Sequence, residues 1–252
     1  MRSSVPWKNP RNSAIEIGQV VTGGSESRTL LLPLSEGEIH YLWHFMQGSI
    51  MAPDVRRRLR LAWGMCQRHA WGWLTMECSA RESWLHGPAI LYEDLMERAQ
   101  IILAKTRGPT ALRRGFSSKG PCLMCDMGYG PQSSGYPNRK ALKQGRSLVN
   151  LQSFSVETKP YWRAYVCGPC LGRQDQGTLC RLHLLGALTH GRSADADVAA
   201  QRRLIEYLAE QLAAYAQSFR WEWHDTETTE NKAALITAIG WCSGWVGLPE
   251  TP

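Results

Sequence analysis

Five cysteines and one histidine fall in three short motifs: Cys122-Leu-Met-Cys125, Cys167-Gly-Pro-Cys170 and Cys180-Arg-Leu-His183. Two soft ligands separated by two residues can both reach one tetrahedral ion from a tight turn or from the start of a helix, which is the spacing used by structural zinc sites. One such pair is a weak signal. Three of them between residues 122 and 183, in a stretch too poor in apolar residues to fold alone, point to a structural zinc. Its binding energy, on the order of 10 kcal/mol or more, can order such a segment.

Six candidate ligands exceed the four places of one tetrahedral site. Cys122 and Cys125 with Cys167 and Cys170 would give a four-cysteine site, whereas Cys122 and Cys125 with Cys180 and His183 would give a mixed one; the sequence permits both. Cys78 and Cys242 have no partner in sequence and read as core thiols. A further echo is present: Gly64-Met-Cys66-Gln-Arg-His69 reads much like Thr178-Leu-Cys180-Arg-Leu-His183, and each opens onto an apolar helical stretch. Leu32-Pro-Leu-Ser35 stands where a Cys-Pro-x-Cys pair would complete a first site, so the chain reads as two divergent copies of one unit, the first having lost half its ligands. A second metal on Cys66 and His69 would draw on His40 and His44, whose i, i+4 spacing on a helix suits ligation. The same two histidines beside Trp43 also suit a partly buried, hydrogen-bonded role.

At these motifs the chain resembles an uncharacterised bacterial family of tandem zinc-binding units, each running Cys-Pro-x-Cys, helix, then Cys-x-x-His at the head of the next helix. The likeness is best over 55–104, in the run Leu61–Leu74 and in Gly87-Pro-Ala-Ile-Leu-Tyr-Glu-Asp-Leu95, and again over 178–245, including Phe219–His224. The resemblance implies Cys122, Cys125, Cys180 and His183 as the ligands of the second unit, and it carries no activity. The chain departs from the pattern at Leu32 and Ser35, and in the segment 126–177, which is long for a unit and holds Cys167 and Cys170.

Helices must position these motifs. Ser35 and Glu38 have capping-box spacing, with Ile39, Leu42, Trp43 and Met46 following at helical intervals until Gly48 and Pro53. A second helix is predicted over 55–76, a third over 88–104, and further ones over 179–188, 195–219 and 228–245. The stretch 107–160 is rich in Gly, Pro, Ser, Lys and Arg; alternation of Leu148, Val149, Leu151, Phe154 and Val156 predicts short strands there, and 161–166 is a further strand candidate. The expected class is mainly α: a helical bundle-like domain with a zinc-stapled irregular or β insert and two divergent repeats. The expected organisation is a flexible tail at 1–28, a helical unit at 29–106, a zinc-binding basic insert at 107–192 and a C-terminal helical segment at 193–252.

At 252 residues, with 43% hydrophobic and 20% charged residues, the composition is that of an ordinary globular chain. Residues 1–15 do not read as a secretory signal and no apolar run reaches membrane-span length, so a cytoplasmic location is expected and paired cysteines read as metal ligands before disulfides. Tryptophans 43, 63, 71, 73, 84, 221, 223, 241 and 245 lie on or near expected helices, where burial is the plain reading and base stacking the sharper one.

No His-Glu-x-x-His, no deaminase motif, no Gly-rich phosphate loop and no serine triad is evident, and no small-molecule substrate suggests itself. Cys167-Gly-Pro-Cys170 looks like the active-site dithiol of thioredoxins, but its approach lacks a β-α-β pattern. A binding role remains. The net charge is +7, and the insert carries Arg107, Arg113, Arg114, Lys119, Arg139, Lys140, Lys143 and Arg146 with Tyr129, Tyr136 and Tyr161 among them. Phosphate contacts and tyrosine stacking from such a segment suit DNA or RNA, single-stranded or structured, within a larger nucleoprotein or defence assembly. A protein–protein adaptor is the alternative.

Overall fold

Ser35 and Glu38 form the capping box that their spacing predicts. The Ser35 hydroxyl accepts the Glu38 amide at 3.2 Å, and the Glu38 carboxylate accepts the Ser35 amide at 2.7 Å. This opens α1 (Glu36–Met46), which buries Ile39, Leu42 and Phe45. The computed structural model describes residues 33–80, 85–173, 178–191 and 195–248; the expected tail at 1–28, Leu32 and Trp84 lie outside them.

The single helix expected over 55–76 is two helices, α2 (Pro53–Ala62) and α3 (Gln67–Cys78). Trp63 and Gly64 take left-handed backbone, at φ 63° and 88°, and so free Cys66 to stand at the N-cap of α3. Left-handed backbone is unfavourable for tryptophan. Here it is held by a fully buried indole packed on Phe116 and Trp241. Next come α4 (His86–Lys105), α5 (Pro109–Phe116), the single turn α6 (Leu123–Asp126), α7 (Arg139–Arg146) and α8 (Val149–Trp162). Short 3₁₀ turns at Arg163–Tyr165 and Gly168–Leu171 lead to α9 (Arg181–Thr189), α10 (Asp195–Gln217) and α11 (Thr229–Ser243).

There is no β-strand among the described residues, and both strand expectations give way to helix. In α8 the buried positions are Leu151, Ser155, Thr158 and Trp162, a helical spacing, while Val149 and Val156 of the apparent alternation are exposed. The strand candidate at 161–166 is the end of α8 and a 3₁₀ turn.

The most extensively packed pair is α4 against α10; α11 packs on α10 and α8, α5 on α9, and α1 on α7 and α3. One hydrophobic core draws on residues from Leu34 to Leu248 and crosses the texture changes near 107 and 193. Most described tryptophans are core: Trp63, Trp71, Trp73 and Trp241 are fully buried, and Trp162 and Trp245 nearly so. Truncating one such indole to alanine costs about 3–5 kcal/mol. Several of their N–H groups find acceptors in the interior, Trp71 on the Gly244 carbonyl (3.0 Å), Trp241 on Gln201 (2.6 Å) and Trp162 on the Ser155 carbonyl (3.0 Å), whereas the Trp63 indole N–H has none.

Around the C-terminal end of α11, residues beside both Cys-x-x-His motifs converge. Arg181, itself buried, donates Nε to the Cys242 carbonyl at 3.1 Å and Nη1 to the Phe116 carbonyl at 2.9 Å. The Ser243 hydroxyl donates to the Met65 carbonyl at 2.8 Å. The last carbonyls of a helix lack intrahelical donors and carry partial negative charge, so a guanidinium and an indole N–H are suitable partners there.

Buried Glu77 accepts the Trp73 indole N–H at 2.9 Å. Burial pushes its carboxyl up to about 7, against the opposing pull of the Trp73 bond. A raised carboxyl pKa means that the fold favours the protonated form. The contribution is therefore fully present below the ordinary value of 4.5 and is lost as pH rises through 7, a change of about 3 kcal/mol at 1.36 kcal/mol per pH unit. Glu77→Gln keeps the acceptor and removes the proton. Urea-unfolding stability of the variant should flatten between pH 5 and 7.5 and exceed that of the parent at pH 8; parallel profiles would show that Glu77 ionises as an ordinary carboxylate.

Candidate metal centres

The four ligand pairs share one local design. Cys66, Cys122, Cys167 and Cys180 each stand at the N-cap of a helix or 3₁₀ turn, and His69, Cys125, Cys170 and His183 follow three residues later in its first turn. The cap carbonyl closes that turn in each case: Cys66 with the Ala70 amide (2.8 Å), Cys122 with Asp126 (2.9 Å), Cys167 with Cys170 (3.1 Å) and Cys180 with Leu184 (2.8 Å). Both side chains then project from the same end of the turn. The unpaired amides of that end carry partial positive charge, which favours thiolate over thiol.

These pairs assemble into two separate clusters, Cys66–His69–Cys122–Cys125 and Cys167–Cys170–Cys180–His183, whose ligand atoms lie within 4.8 Å of one another. In the first, His69 Nδ1 lies 3.2, 3.4 and 3.4 Å from the sulfurs of Cys66, Cys122 and Cys125, and the Cys66 and Cys125 sulfurs are 3.7 Å apart. In the second, His183 Nδ1 lies 3.3, 3.4 and 3.2 Å from Cys167, Cys170 and Cys180, with the Cys170 and Cys180 sulfurs 3.7 Å apart. Two thiolates about 2.3 Å from one tetrahedral ion lie about 3.8 Å apart, and a thiolate and an imidazole nitrogen about 3.5 Å apart. A disulfide would need about 2.05 Å. Every described cysteine is a free thiol. Each cluster therefore has the dimensions of a complete four-ligand metal site.

Charge points the same way. Burial alone would lower the imidazole of His69, yet hydrogen bonding to Cys122, Cys125 and Glu38 pushes it up to about 11. Hydrogen bonds to Cys167 and Cys170 push His183 up to about 10 against its burial. In each cluster one thiol, Cys122 or Cys167, is held far below the ordinary range by its neighbouring cysteines, and another, Cys66 or Cys180, is pushed far above it by the same contacts. Thiolates grouped this closely draw positive charge to their centre, and a metal cation supplies it without leaving any ligand protonated.

The first cluster has a built outer shell. His69 Nε2 lies 3.1 Å from Glu38 Oε1, leaving Nδ1 toward the sulfurs, an arrangement that fixes tautomer and ring orientation in metal-binding histidines. Burial would raise the Glu38 carboxyl, but Arg68, His69 and the Ser35 amide bring it down to about 2. Arg68 grips it with two bonds of 2.6 and 2.7 Å. On the other side, the loop after Cys125 returns to α1: the Ser35 hydroxyl donates to the Gly130 carbonyl at 2.8 Å, and the Gly37 amide to the Ser133 carbonyl at 3.0 Å. The two backbones cross where both residues lack a side chain, since a Cβ on Gly135 would sit 2.8 Å from the Gly37 Cα.

Neither four-ligand set expected from the sequence is assembled. Cys122 and Cys125 meet the upstream Cys66 and His69 instead of Cys167 and Cys170 or Cys180 and His183, which form a cluster of their own. The expectation that the first unit lost half its ligands is corrected likewise: its missing pair comes from downstream. His40 and His44 belong to neither cluster and pack ring to ring at 4.9 Å on α1. Cys78 and Cys242 are buried, as core thiols should be. Of the basic residues, Arg113 and Arg114 are on α5, Lys119 precedes Cys122, and Arg139, Lys140, Lys143 and Arg146 are on α7; all seven are exposed. Arg107 is exposed just ahead of α5. Tyr129 is half-buried against Tyr41 at 4.8 Å, Tyr136 is open to solvent and Tyr161 is partly exposed.

No family model matches the chain, and no curated protein or solved structure is significantly similar to it. No helix of the described residues is long and apolar enough to cross a membrane.

Glu38→Gln should weaken metal binding at the first cluster by about 10- to 100-fold, the usual cost of losing an outer-shell carboxylate, and leave the second unchanged. Competition with a chromophoric chelator measures this. Equal weakening of both clusters, or of neither, would contradict the role given to Glu38.

Proposed function

We propose that this chain is a non-catalytic module in which two zinc ions, each held by three cysteines and one histidine, staple a helical domain that serves as a nucleic-acid-binding subunit of a larger nucleoprotein or defence assembly. The observation that carries the zinc reading is the pair of complete Cys₃His sets at tetrahedral spacing. Soft thiolates with one imidazole suit zinc, and a site whose four places all belong to the protein leaves none for a substrate. Cys66, His69, Cys122 and Cys125 would hold one ion; Cys167, Cys170, Cys180 and His183 the other. The chemistry each ion supplies is a cross-link between distant segments. A dithiol redox role for Cys167 and Cys170 is disfavoured, because Cys180 and His183 complete a ligand set around them.

The nucleic-acid reading is supported by the exposed cations between residues 107 and 146 and by the absence of any carboxylate from 127 to 156. The adaptor reading is favoured by one observation, the exposed Trp221 and Trp223 in the turn after α10. A cytoplasmic location and membership of the bacterial tandem-unit family belong to the same proposal.

Two measurements test it. Stripping metal with a strong chelator should lower far-UV helicity and expose 107–191 to protease, with zinc restoring both; a chelator-treated chain that keeps its helicity and protection would overturn the structural role. Retention on a nucleic-acid column should fall steeply with salt, by orders of magnitude in affinity between 50 and 200 mM if several phosphates are neutralised. No retention at low salt would leave the adaptor.

A further inference from the structure

Apart from Arg107 and Lys119, the exposed cations between residues 107 and 146 divide between two helices with different surroundings. α5 packs on α9 and α4 and presents Arg113 and Arg114, while its aromatic residue, Phe116, is fully buried. α7 packs on α1 and α3 and is pressed tightly against them. A Cβ on Gly145 would fall 2.5 Å from Ile39 Cγ1 and 2.9 Å from Met76 Sδ, so only glycine permits this approach. The Gln144 amide donates to the Ser79 carbonyl at 2.6 Å, and Asn138 caps the helix through the Ala141 amide. The result is a closely packed helix with Arg139, Lys140 and Lys143 exposed.

Beside it α1 turns out a second stripe. Ile39, Leu42 and Phe45 are buried, so His40, Trp43, His44 and Gln47 occupy the opposite side. Trp43 is a tryptophan left half-open in a molecule that buries most of its described tryptophans, and the Lys140 ammonium lies 5.4 Å from its ring centroid. Tyr136, just ahead of α7, is 94% exposed. Carboxylates do not offset this face. Glu36 is paired with Arg146 at 3.4 Å, Glu38 is buried under Arg68, and Asp126 is held by Arg58 at 2.5 Å.

We propose that the joint face of α1 and α7 is a single-strand nucleic-acid site, in which Trp43 and Tyr136 stack on unpaired bases while Arg139, Lys140 and Lys143 hold the phosphates. This rests on the nucleic-acid reading above and narrows it to one of the two basic helices. Open aromatic rings interleaved with cations are the means by which unpaired strands are bound without sequence preference, whereas a duplex keeps its base faces stacked and offers them no partner.

The test uses the full chain and a fluorescent mixed-sequence 20-nucleotide single strand, read by anisotropy from 25 to 300 mM salt. Lys140→Gln with Lys143→Gln should weaken binding at least tenfold at 100 mM salt and reduce the salt slope by about 1.4, or 0.7 for each phosphate no longer neutralised. Trp43→Ala should weaken it about tenfold or more with the slope unchanged, and Trp43→Phe should recover most of that loss. Arg113→Gln with Arg114→Gln should leave binding within twofold. Metal content and far-UV circular dichroism of each variant confirm an intact fold. Binding that survives the α7 change and falls with the α5 change would overturn the location, and tighter binding to a duplex with Trp43→Ala silent would overturn the stacking. Absence of binding by the parent chain at 25 mM salt would remove the nucleic-acid reading itself.

Discussion

The Glu38 carboxylate is the point on which the N-terminal half depends. It is fully buried and accepts from Arg68, lies 3.1 Å from His69, and takes the amide of its own helix cap. A buried charge is expensive unless paired, and here the pairing is complete enough to hold the carboxyl near 2. Through Glu38 a closed circuit runs from His69 to Ser35, from Ser35 to Gly130 and Ser133, and back along the chain to Cys125 beside His69. A metal at that cluster would close the circuit covalently. Loss of one member would then loosen α1, the start of α3 and the loop 126–135 together.

The second cluster is tied into the same body by a different route. Arg181 follows Cys180 directly and spans from α5 to the end of α11, while Met65, just before Cys66, takes the Ser243 hydroxyl. Both Cys-x-x-His turns thus abut one helix end. That juxtaposition gives the repeat a structural meaning: the two half-sites flank a shared core, and each recruits its Cys-x-x-Cys pair from a different direction along the chain. For the first the partner comes 53 residues after His69; for the second it precedes Cys180 by ten. Ordering the long loop in the first case carries more chain entropy, which the outer shell around Glu38 helps to offset.

Much of this was legible in the sequence, and the failures have physical causes. The α1 cap and the positions of α4, α10 and α11 follow from side-chain chemistry within a few residues, which spacing reports well. Each ligand pair is likewise local, since N-cap and third position on one turn are three residues apart by construction. Which pair meets which is a long-range matter that no spacing encodes, and an assumed order of Cys-x-x-Cys before Cys-x-x-His hid the join between His69 and Cys122. The echo of Cys66–His69 in Cys180–His183 was the signal that could have found it. The break at Trp63–Gly64 was masked by apolar residues that keep helical register across it. In α8, Val149 and Val156 imitated a strand because two exposed valines filled out an alternation that burial does not follow.

The eight Cys and His ligands divide into two clusters, and each should hold its own ion. Zinc per chain, counted by native mass spectrometry and elemental analysis, distinguishes this from a single shared site. Two ions are expected for the parent chain, with Cys66→Ser and Cys122→Ser each losing the same one and Cys167→Ser and Cys180→Ser each losing the other. A single ion abolished by both Cys122→Ser and Cys180→Ser would contradict the account.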